Sequence, residues 1–189
     1  MKKKLKAKIM FEGTGINALD ISPDKDVLVA GGMDHNLHIY DTQTMKETMT
    51  YRGEDAKHCE HFNRIYSILI DPTDPNIFYS GGWDKCIVTH DLREKHAVSR
   101  FMGPYIAGDS LDIYGETLLA GSYRSQDPLE IYDLRVGEVL KTIRWDEADK
   151  KGGMIMSCQF GNPASDTVIA GSSSDHELKL FDKNKDKTL

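Results

Sequence analysis

One phrase occurs four times in this sequence, and its repetition restricts the fold more than any single motif does. Each copy consists of an apolar run, a small residue with glycine, a turn, an alternating run and a closing aspartate that follows an aromatic residue or histidine. The copies are VLVAGGMDHNLHIYD (27–41), FYSGGWDKCIVTHD (78–91), LLAGSYRSQDPLEIYD (118–133) and VIAGSSSDHELKLFD (168–182). The closing aspartates are Asp41, Asp91, Asp133 and Asp182, with spacings of 50, 42 and 49 residues. This spacing predicts an array of similar structural units.

The units are predicted to consist of β-strands. Apolar side chains recur with a two-residue period in LHIY (37–40) and LKLF (178–181), and this period is typical of strands. An upstream strand is predicted before each phrase, at 16–21, 65–70, 110–113 and 155–160, and a downstream strand at 47–51, 97–101 and 138–143. The fourth unit has only residues 187–189 with which to begin an outer strand.

The sequence resembles the WD40-repeat family. Residues 16–41, INALDISPDKDVLVAGGMDHNLHIYD, are similar to the family pattern SPDxxxLxxG followed by DxxLxIWD. The resemblance implies an all-β fold, a WD40-type β-propeller with four blades of four antiparallel strands each. The predicted blades span about 14–53, 54–103, 104–146 and 147–189, and residues 1–13 form a basic arm and the outer strand of an adjoining blade.

The resemblance also implies a hydrogen-bonded network inside each blade, which the family forms from a His, a Ser or Thr, an Asp and the Trp of the closing pair. The second repeat matches with His61, Ser80 and Asp84, and His90 stands in the tryptophan place. The matching places in the other repeats hold the turn aspartates Asp34 and Asp175, the alanines Ala30, Ala120 and Ala170, and the aromatic residues Tyr40, Tyr132 and Phe181. Because alanine has no hydroxyl, these networks are predicted to be incomplete. The insertion at 124–128 in the third repeat is predicted to protrude.

Four blades are fewer than the seven or eight that the resemblance leads us to expect. The faces of the first and last blades would be apolar, and their unpaired strand edges would invite association. A partial or open propeller is therefore predicted, completed by the segment 5–11, by a homo-oligomer mate in an eight-blade ring, or by a neighbouring chain. Closure of four blades on themselves and completion by residues beyond Leu189 are the alternatives.

Charge and cysteine content narrow the function classes. The net charge of −6 gives a nucleic-acid backbone little reason to bind, so no nucleic acid is predicted despite the lysines at 2–8. No apolar run approaches the roughly 20 residues of a membrane helix, so no membrane contact is predicted. Three cysteines without CxxC spacing argue against disulfides and zinc fingers, and indicate buried thiols in a reducing, cytoplasmic compartment.

No metal, cofactor or catalytic activity is predicted. The run His58-Cys59-Glu60-His61, with Cys86 and His90, contains metal-ligand side chains, but neighbouring residues of an extended loop point in alternating directions and few can converge on one ion. We interpret it as a loop before a strand. The sequence also lacks a Ser-His-Asp spacing, a nucleophile elbow and a phosphate-binding glycine loop.

The predicted function is a non-enzymatic protein-protein interaction scaffold within a multi-subunit complex, with cytoskeletal or ciliary assemblies as one option. Loops on a rigid frame carry binding, and the candidate binding residues are Met33, Trp83, Tyr105, Tyr123 and Arg124. An alternative is a substrate receptor of a cullin-type ubiquitin ligase. The endings HDLR and YDLR resemble the WDxR motif of such receptors, in which Arg93 and Arg135 would dock the adaptor.

Overall fold

The computed structural model describes residues 5, 7–53, 60–146, 153–161 and 166–184, and every regular element within these residues is a β-strand. The fifteen strands of this part of the chain form four antiparallel sheets, which are blades 1 to 4 in chain order. The predicted all-β fold is confirmed. The described ranges contain no helix with the length and apolarity that crossing a membrane requires.

Each blade is a meander in which consecutive strands pair. Blade 1 consists of β1 (Ile16–Ile21), β2 (Val27–Gly32), β3 (Leu37–Asp41) and β4 (Glu47–Tyr51). Blade 2 consists of β5 (Ile65–Ile70), β6 (Ile77–Gly82), β7 (Cys86–Asp91) and β8 (Ser99–Met102). Blade 3 consists of β9 (Leu111–Tyr114), β10 (Thr117–Gly121), β11 (Leu129–Asp133) and β12 (Glu138–Ile143). In blade 4 the described strands are β13 (Ile155–Phe160), β14 (Thr167–Ser172) and β15 (Glu177–Asp182). The outer strand predicted from 187–189 lies outside the described residues.

Two strands differ from the sequence prediction. The outer strand of blade 2 was predicted at 97–101 and begins at Ser99, because the N–H of Ala97 donates to Glu60 Oε1 at 2.8 Å and not to the neighbouring strand. The inner strand of blade 3 begins at Leu111, one residue later than predicted, and ends where Gly115 turns the chain with a φ of 58°.

Gly32 and Gly82, the last residues of β2 and β6, are required by a close backbone approach. A Cβ on Gly32 would lie 2.0 Å from the carbonyl oxygen of Gly15, and one on Gly82 would lie 2.2 Å from that of Arg64. Both distances are far below van der Waals contact. The pairing of inner and second strands shifts register at the same place in blades 1, 2 and 4, so the repeat extends to its irregularities.

The core lies between the blades. Three clusters of buried apolar side chains occupy the three blade-to-blade interfaces. The first contains Val29, Leu37 and Ile39 of blade 1 with Ile65, Ile68, Ile70 and Phe78 of blade 2. The second contains Tyr79 and Ile87 of blade 2 with Leu111, Leu118 and Tyr132 of blade 3. The third contains Leu119, Leu129 and Ile131 of blade 3 with Ile155, Val168 and Phe181 of blade 4. Each blade is therefore stabilised mainly by its neighbours.

An aromatic contact repeats at every interface. An aromatic residue at the end of one blade packs on the residue before the closing aspartate of the next blade. The pairs are Tyr51 with His90 at 4.7 Å between ring centroids, Phe101 with Tyr132 at 5.9 Å, and Trp145 with Phe181 at 5.6 Å. Phe11 lies in the same relation to Tyr40, at 6.1 Å. Residues around Phe11 thus lie where the outer strand of a preceding blade belongs.

The propeller is open. Leu19 of blade 1 is 63% exposed, whereas Ile68 at the same position of blade 2 is 6% exposed. Leu178 of blade 4 is 75% exposed, whereas Leu129 at the same position of blade 3 is fully buried. The first face of blade 1 and the last face of blade 4 therefore do not cover each other.

Candidate functional site

Four buried polar side chains form a hydrogen-bonded row in blade 2. His61 precedes β5, Ser80 lies on β6, Asp84 in the following turn and His90 on β7. His61 Nδ1 lies 2.6 Å from Asp84 Oδ2, and His61 Nε2 lies 2.8 Å from Ser80 Oγ. Ser80 Oγ lies 3.2 Å from His90 Nε2. All four residues are at most 3% exposed, so the row connects β6 and β7 with the segment before β5 and the turn after β6 without help from solvent.

The donors and acceptors in this row can be assigned from the ionisation of Asp84. Burial opposes ionisation of Asp84, but the hydrogen bond and charge of His61 hold its pKa below 3.8, so Asp84 is a carboxylate. His61 therefore donates from Nδ1 to this carboxylate. Burial, helped by His61, places the pKa of His90 well below 6.5. His90 is therefore neutral and donates from Nε2 to Ser80.

The other three blades use a different polar position. Ser80 pairs across the strands with Val88. In the other blades an alanine replaces the serine and a polar residue replaces the valine. The cross-strand pairs are Ala30 with His38, Ala120 with Glu130, and Ala170 with Lys179. In these blades the polar group has moved from the second strand to the third, and the alanine leaves the family's network without its hydroxyl.

In blade 1 the moved polar group joins the turn aspartate. His38 Nε2 lies 3.0 Å from Asp34 Oδ2, and His38 Nδ1 lies 3.0 Å from Glu47 Oε1. Burial opposes ionisation of Asp34, but bonds from His38 and Asn36 lower its pKa below 3.8. This network is partly open to water, unlike the row in blade 2.

In blade 3 the moved polar group fixes the insertion. Arg124 Nη2 pairs with Glu130 Oε1 at 2.7 Å, and the Tyr132 hydroxyl donates to Glu130 Oε2 at 2.7 Å. Arg124 also donates to the carbonyls of Gln126, Asp127 and Gly103. Asp127 contributes only its backbone to these bonds, and residues 125–127 are exposed.

In blade 4 Lys179 takes this place. Its Nζ pairs with Asp146 at 2.6 Å and Glu177 at 3.1 Å, and it lies 4.7 Å from the ring centre of Trp145. The turn aspartate Asp175 instead bonds to the hydroxyls of Ser172 and Ser174. The closing aspartates accept hydrogen bonds in the next turn: Asp41 from Thr44, Asp91 from Arg93, Asp133 from Arg135 and Asp182 from Asn184.

The residues predicted to bind a partner differ in how much of each side chain is free to contact one. The ring of Trp83 stacks on that of Tyr66, at 5.2 Å between centroids, and on that of Tyr105, at 5.7 Å, so much of its surface is used inside the chain. Arg124 is held within its own loop. Met33 is 42% exposed, and Tyr123 is half-buried next to Tyr105, whose carbonyl accepts its N–H.

Comparisons with known proteins agree with this architecture. Residues 5–41 match the model of the family described as WD domain, G-beta repeat. Pre-mRNA-processing factor 19 of Mus musculus is 26% identical over 172 residues, which cover 89% of this chain. The chain is a WD40-repeat protein. Also similar are WD and tetratricopeptide repeats protein 1 of Mus musculus, 29% identical over 58% of the chain, and serine-threonine kinase receptor-associated protein of Gallus gallus, 28% identical over 51%.

This WD40-repeat protein matches only part of each relative. The matched region spans 16%, 31% and 30% of the lengths of WD and tetratricopeptide repeats protein 1, Pre-mRNA-processing factor 19 and serine-threonine kinase receptor-associated protein, respectively. The chain therefore spans less than a third of the length of each of these relatives.

His90 reproduces the donor that the WD40 resemblance places there. Its Nε2–H points to Ser80 as an indole N–H would, and its ring stacks on Phe78 at 4.6 Å with an interplanar angle of 9°. The histidine thus supplies both the flat apolar surface and the single proton that this place requires.

Because a histidine stands in the tryptophan place of the family, the stability of blade 2 in this WD40-repeat protein is expected to depend on pH. The pKa of His90 is far below 6.5 in the folded chain and about 6.5 in the unfolded chain, so the unfolded chain binds an extra proton as pH falls below that value. The free energy of unfolding is expected to fall by up to about 1.4 kcal/mol per pH unit from this residue, or about 2 kcal/mol by pH 5. Urea unfolding between about pH 5 and pH 8 measures the slope.

His90→Trp is the matched variant, because tryptophan keeps the donor to Ser80 and does not titrate. Its stability is expected to be flatter than that of the wild type over the same pH range. Parallel pH profiles for the two proteins would show that His90 is not the titrating group.

Two members of this row, His61 and Asp84, together with Cys86, come nearest to a metal site among the described residues. Ligand atoms of His61, Asp84 and Cys86 lie within 4.8 Å of one another, and all three residues are buried. The His61 and Asp84 atoms are already joined by the hydrogen bond of the row. His58 and Cys59, which were weighed as ligands, lie outside the described residues.

The polar residues of the third strands, His38, Glu130 and Lys179, were not predicted from the sequence. The missing signal is the cross-strand pairing itself. Once the register is written out, every alanine in the hydroxyl place faces a polar residue, whereas Ser80 faces Val88.

Proposed function

We propose that this WD40-repeat protein is a non-enzymatic interaction scaffold and a structural subunit of a larger assembly. The observation that carries the proposal is the pair of uncovered blade faces at the two ends of the propeller, represented by Leu19 and Leu178. Exposed apolar faces of this kind are typical of protein interfaces. Loops that connect the strands of a packed scaffold can present fixed surfaces to partners.

The names of the relatives support a role as a scaffold but do not indicate one cellular process for this chain. They mention pre-mRNA processing, tetratricopeptide repeats and association with a kinase receptor, which are different settings for one repeat. A cytoplasmic location and a cytoskeletal or ciliary assembly are finer proposals that depend on the identity of the partners.

Partner binding is proposed on the face that carries the turns between second and third strands, where Met33 and Tyr123 lie. A partner is first captured with the tagged chain and identified, and the complex is then reconstituted from pure proteins. Met33→Ala and Tyr123→Ala are each expected to weaken this binding about 10-fold, which corresponds to the loss of about 1.4 kcal/mol of binding free energy. Isothermal titration calorimetry measures the change. The control is Val136→Ala, because Val136 is 66% exposed and lies in the β11–β12 turn at the opposite end of the strands. Unchanged binding in both loop variants would contradict this placement.

A substrate receptor of a cullin-type ubiquitin ligase is the second candidate function. It is favoured because the arginines of the two DLR endings are exposed and could contact an adaptor. Arg93 and Arg135 are 61% and 65% exposed, and each is held as a fork by the aspartate two residues earlier, at 2.7 and 2.8 Å. They lie at the Val136 end of the strands, away from Met33. In the same capture experiment, a cullin adaptor retained by the wild type and lost from the Arg93→Ala, Arg135→Ala double variant is the outcome that selects this candidate.

A further inference from the structure

The guanidinium of Arg64 lies over an aromatic cluster of blade 2. Its Cζ is 5.6 Å from the ring centre of Trp83, and the Trp83 ring also stacks on Tyr66 and Tyr105. All four residues are half-buried, so each is partly open to solvent. A guanidinium held on an indole is restrained in position but keeps its charge and its N–H donors.

The backbone around Arg64 is fixed to the turn of blade 2. The carbonyl of Arg64 accepts the N–H of Trp83 at 3.0 Å, and the N–H of Phe62 donates to Asp84 Oδ2 at 3.1 Å. Asp84 is itself held by His61 in the buried row. The row therefore positions residues 62–64, and Arg64 is presented from a place that the packed blade determines.

The charge of Arg64 is not neutralised by a carboxylate of the chain. Arg93, Arg124 and Arg135 each pair with an aspartate or a glutamate. Within the described ranges, by contrast, the guanidinium of Arg64 forms no ion pair, and its contact is the one with Trp83. Phe62, two residues earlier, is 60% exposed. This surface thus offers an unpaired guanidinium close in sequence to an exposed aromatic residue.

We propose that this surface, formed by Phe62, Arg64, Trp83 and Tyr105, binds a peptide segment of a partner protein through an aspartate or glutamate carboxylate. The inference rests on the proposed scaffold function and names the chemistry of its partner. A guanidinium can bind a carboxylate through two parallel N–H···O bonds, and aromatic and arginine side chains are enriched among the residues that dominate binding at interfaces. The net charge of −6 gives an acidic peptide no general attraction to the chain, so its binding should depend on Arg64.

The first test is a selection of random peptides displayed on phage against the purified chain. The wild type is expected to enrich peptides that share an aspartate or glutamate next to an apolar residue, and Arg64→Gln is expected to lose this enrichment. Arg100→Gln is the control, because it removes the same charge from the same blade. Arg100 is exposed on the outer strand β8, so this variant should select the same acidic peptides as the wild type.

The second test measures the affinity of one selected peptide by fluorescence anisotropy. Arg64→Gln, and replacement of the peptide's carboxylate by the amide, are each expected to weaken binding about 10-fold, as loss of a charge-assisted hydrogen bond does. The two changes together are expected to weaken it little more than either alone, because they remove the same contact. The change in the peptide leaves the protein intact, so it tests the contact even where Arg64→Gln disturbs folding, which circular dichroism checks.

Selection of no peptide, selection of peptides without a shared acidic residue, or equal affinity of the peptide and its amide for the wild type overturns the acidic-peptide proposal. The scaffold function is tested separately by the captured partner and the Met33 and Tyr123 variants. A partner whose binding is weakened by Met33→Ala but not by Arg64→Gln would overturn this surface as its site and leave the scaffold function standing. The two proposals can therefore fail independently.

Discussion

Asp84→Ala is expected to lower the free energy of unfolding by about 2–6 kcal/mol, the combined cost of leaving two buried donors without their acceptor. Without the carboxylate, the Nδ1–H of His61 and the backbone N–H of Phe62 lose their acceptor. Each buried donor left unpaired costs about 1–3 kcal/mol. Because domains are stable by only about 5–15 kcal/mol, the variant should unfold at a much lower urea concentration, measured by circular dichroism.

Asp34→Ala is the matched control, because Asp34 has the same place in the turn of blade 1. Its side chain is 22% exposed and that of its partner His38 is 14% exposed, so water can replace the lost bonds. The expected loss is about 1 kcal/mol or less. Equal losses for the two variants would show that burial of the row in blade 2 does not determine its contribution to stability.

The strands could be predicted because they depend on local pattern. The two-residue apolar period in LHIY and LKLF reports which side chains face a neighbouring blade, and this does not require knowledge of the neighbour. The predicted bounds of β1, β4, β5, β12 and β13 agree with the structure. The row in blade 2 was recognisable because His61, Ser80, Asp84 and His90 all match one family pattern.

The remaining polar contacts could not be predicted because they depend on register and on chain reversal. Glu130 faces Ala120 only once β10 and β11 are paired, and Arg124 reaches it only because the insertion folds back. Trp83 was a candidate for partner binding that could instead pack on its own blade, and the sequence does not show that Tyr66 and Tyr105, from other segments, stack on its ring. Such contacts join residues that the sequence pattern treats separately.

The apolar interfaces of this propeller are similar from blade to blade, but the polar contacts inside the blades are not. Every described interface repeats the same apolar positions and the same aromatic contact, whereas the polar group in each blade is individual. The repeated apolar faces let any blade follow any other. The individual polar groups add hydrogen bonds and ion pairs that differ from one blade to the next.

Trp145→Ala is expected to cost about 3–5 kcal/mol, the range for truncating a buried tryptophan, and to do so mainly in blade 4. Trp145 is 1% exposed and packs on Phe181 and under Lys179. Blade 3 is the neighbour that covers blade 4 in the described residues, so loss of this contact should let blade 4 open before the rest. Amide hydrogen exchange is expected to accelerate in β13, β14 and β15.

Phe101→Ala makes the same change one blade earlier, where blades 2 and 3 each have neighbours on both sides. It is expected to lower the overall unfolding midpoint without selective exchange in blade 4, because opening either blade there also exposes a second interface. The comparison separates a weak end blade from a generally weakened chain. If Trp145→Ala accelerated exchange equally in all four sheets, the blades would unfold as one cooperative unit, and the uncovered face of blade 4 would not be a local point of instability.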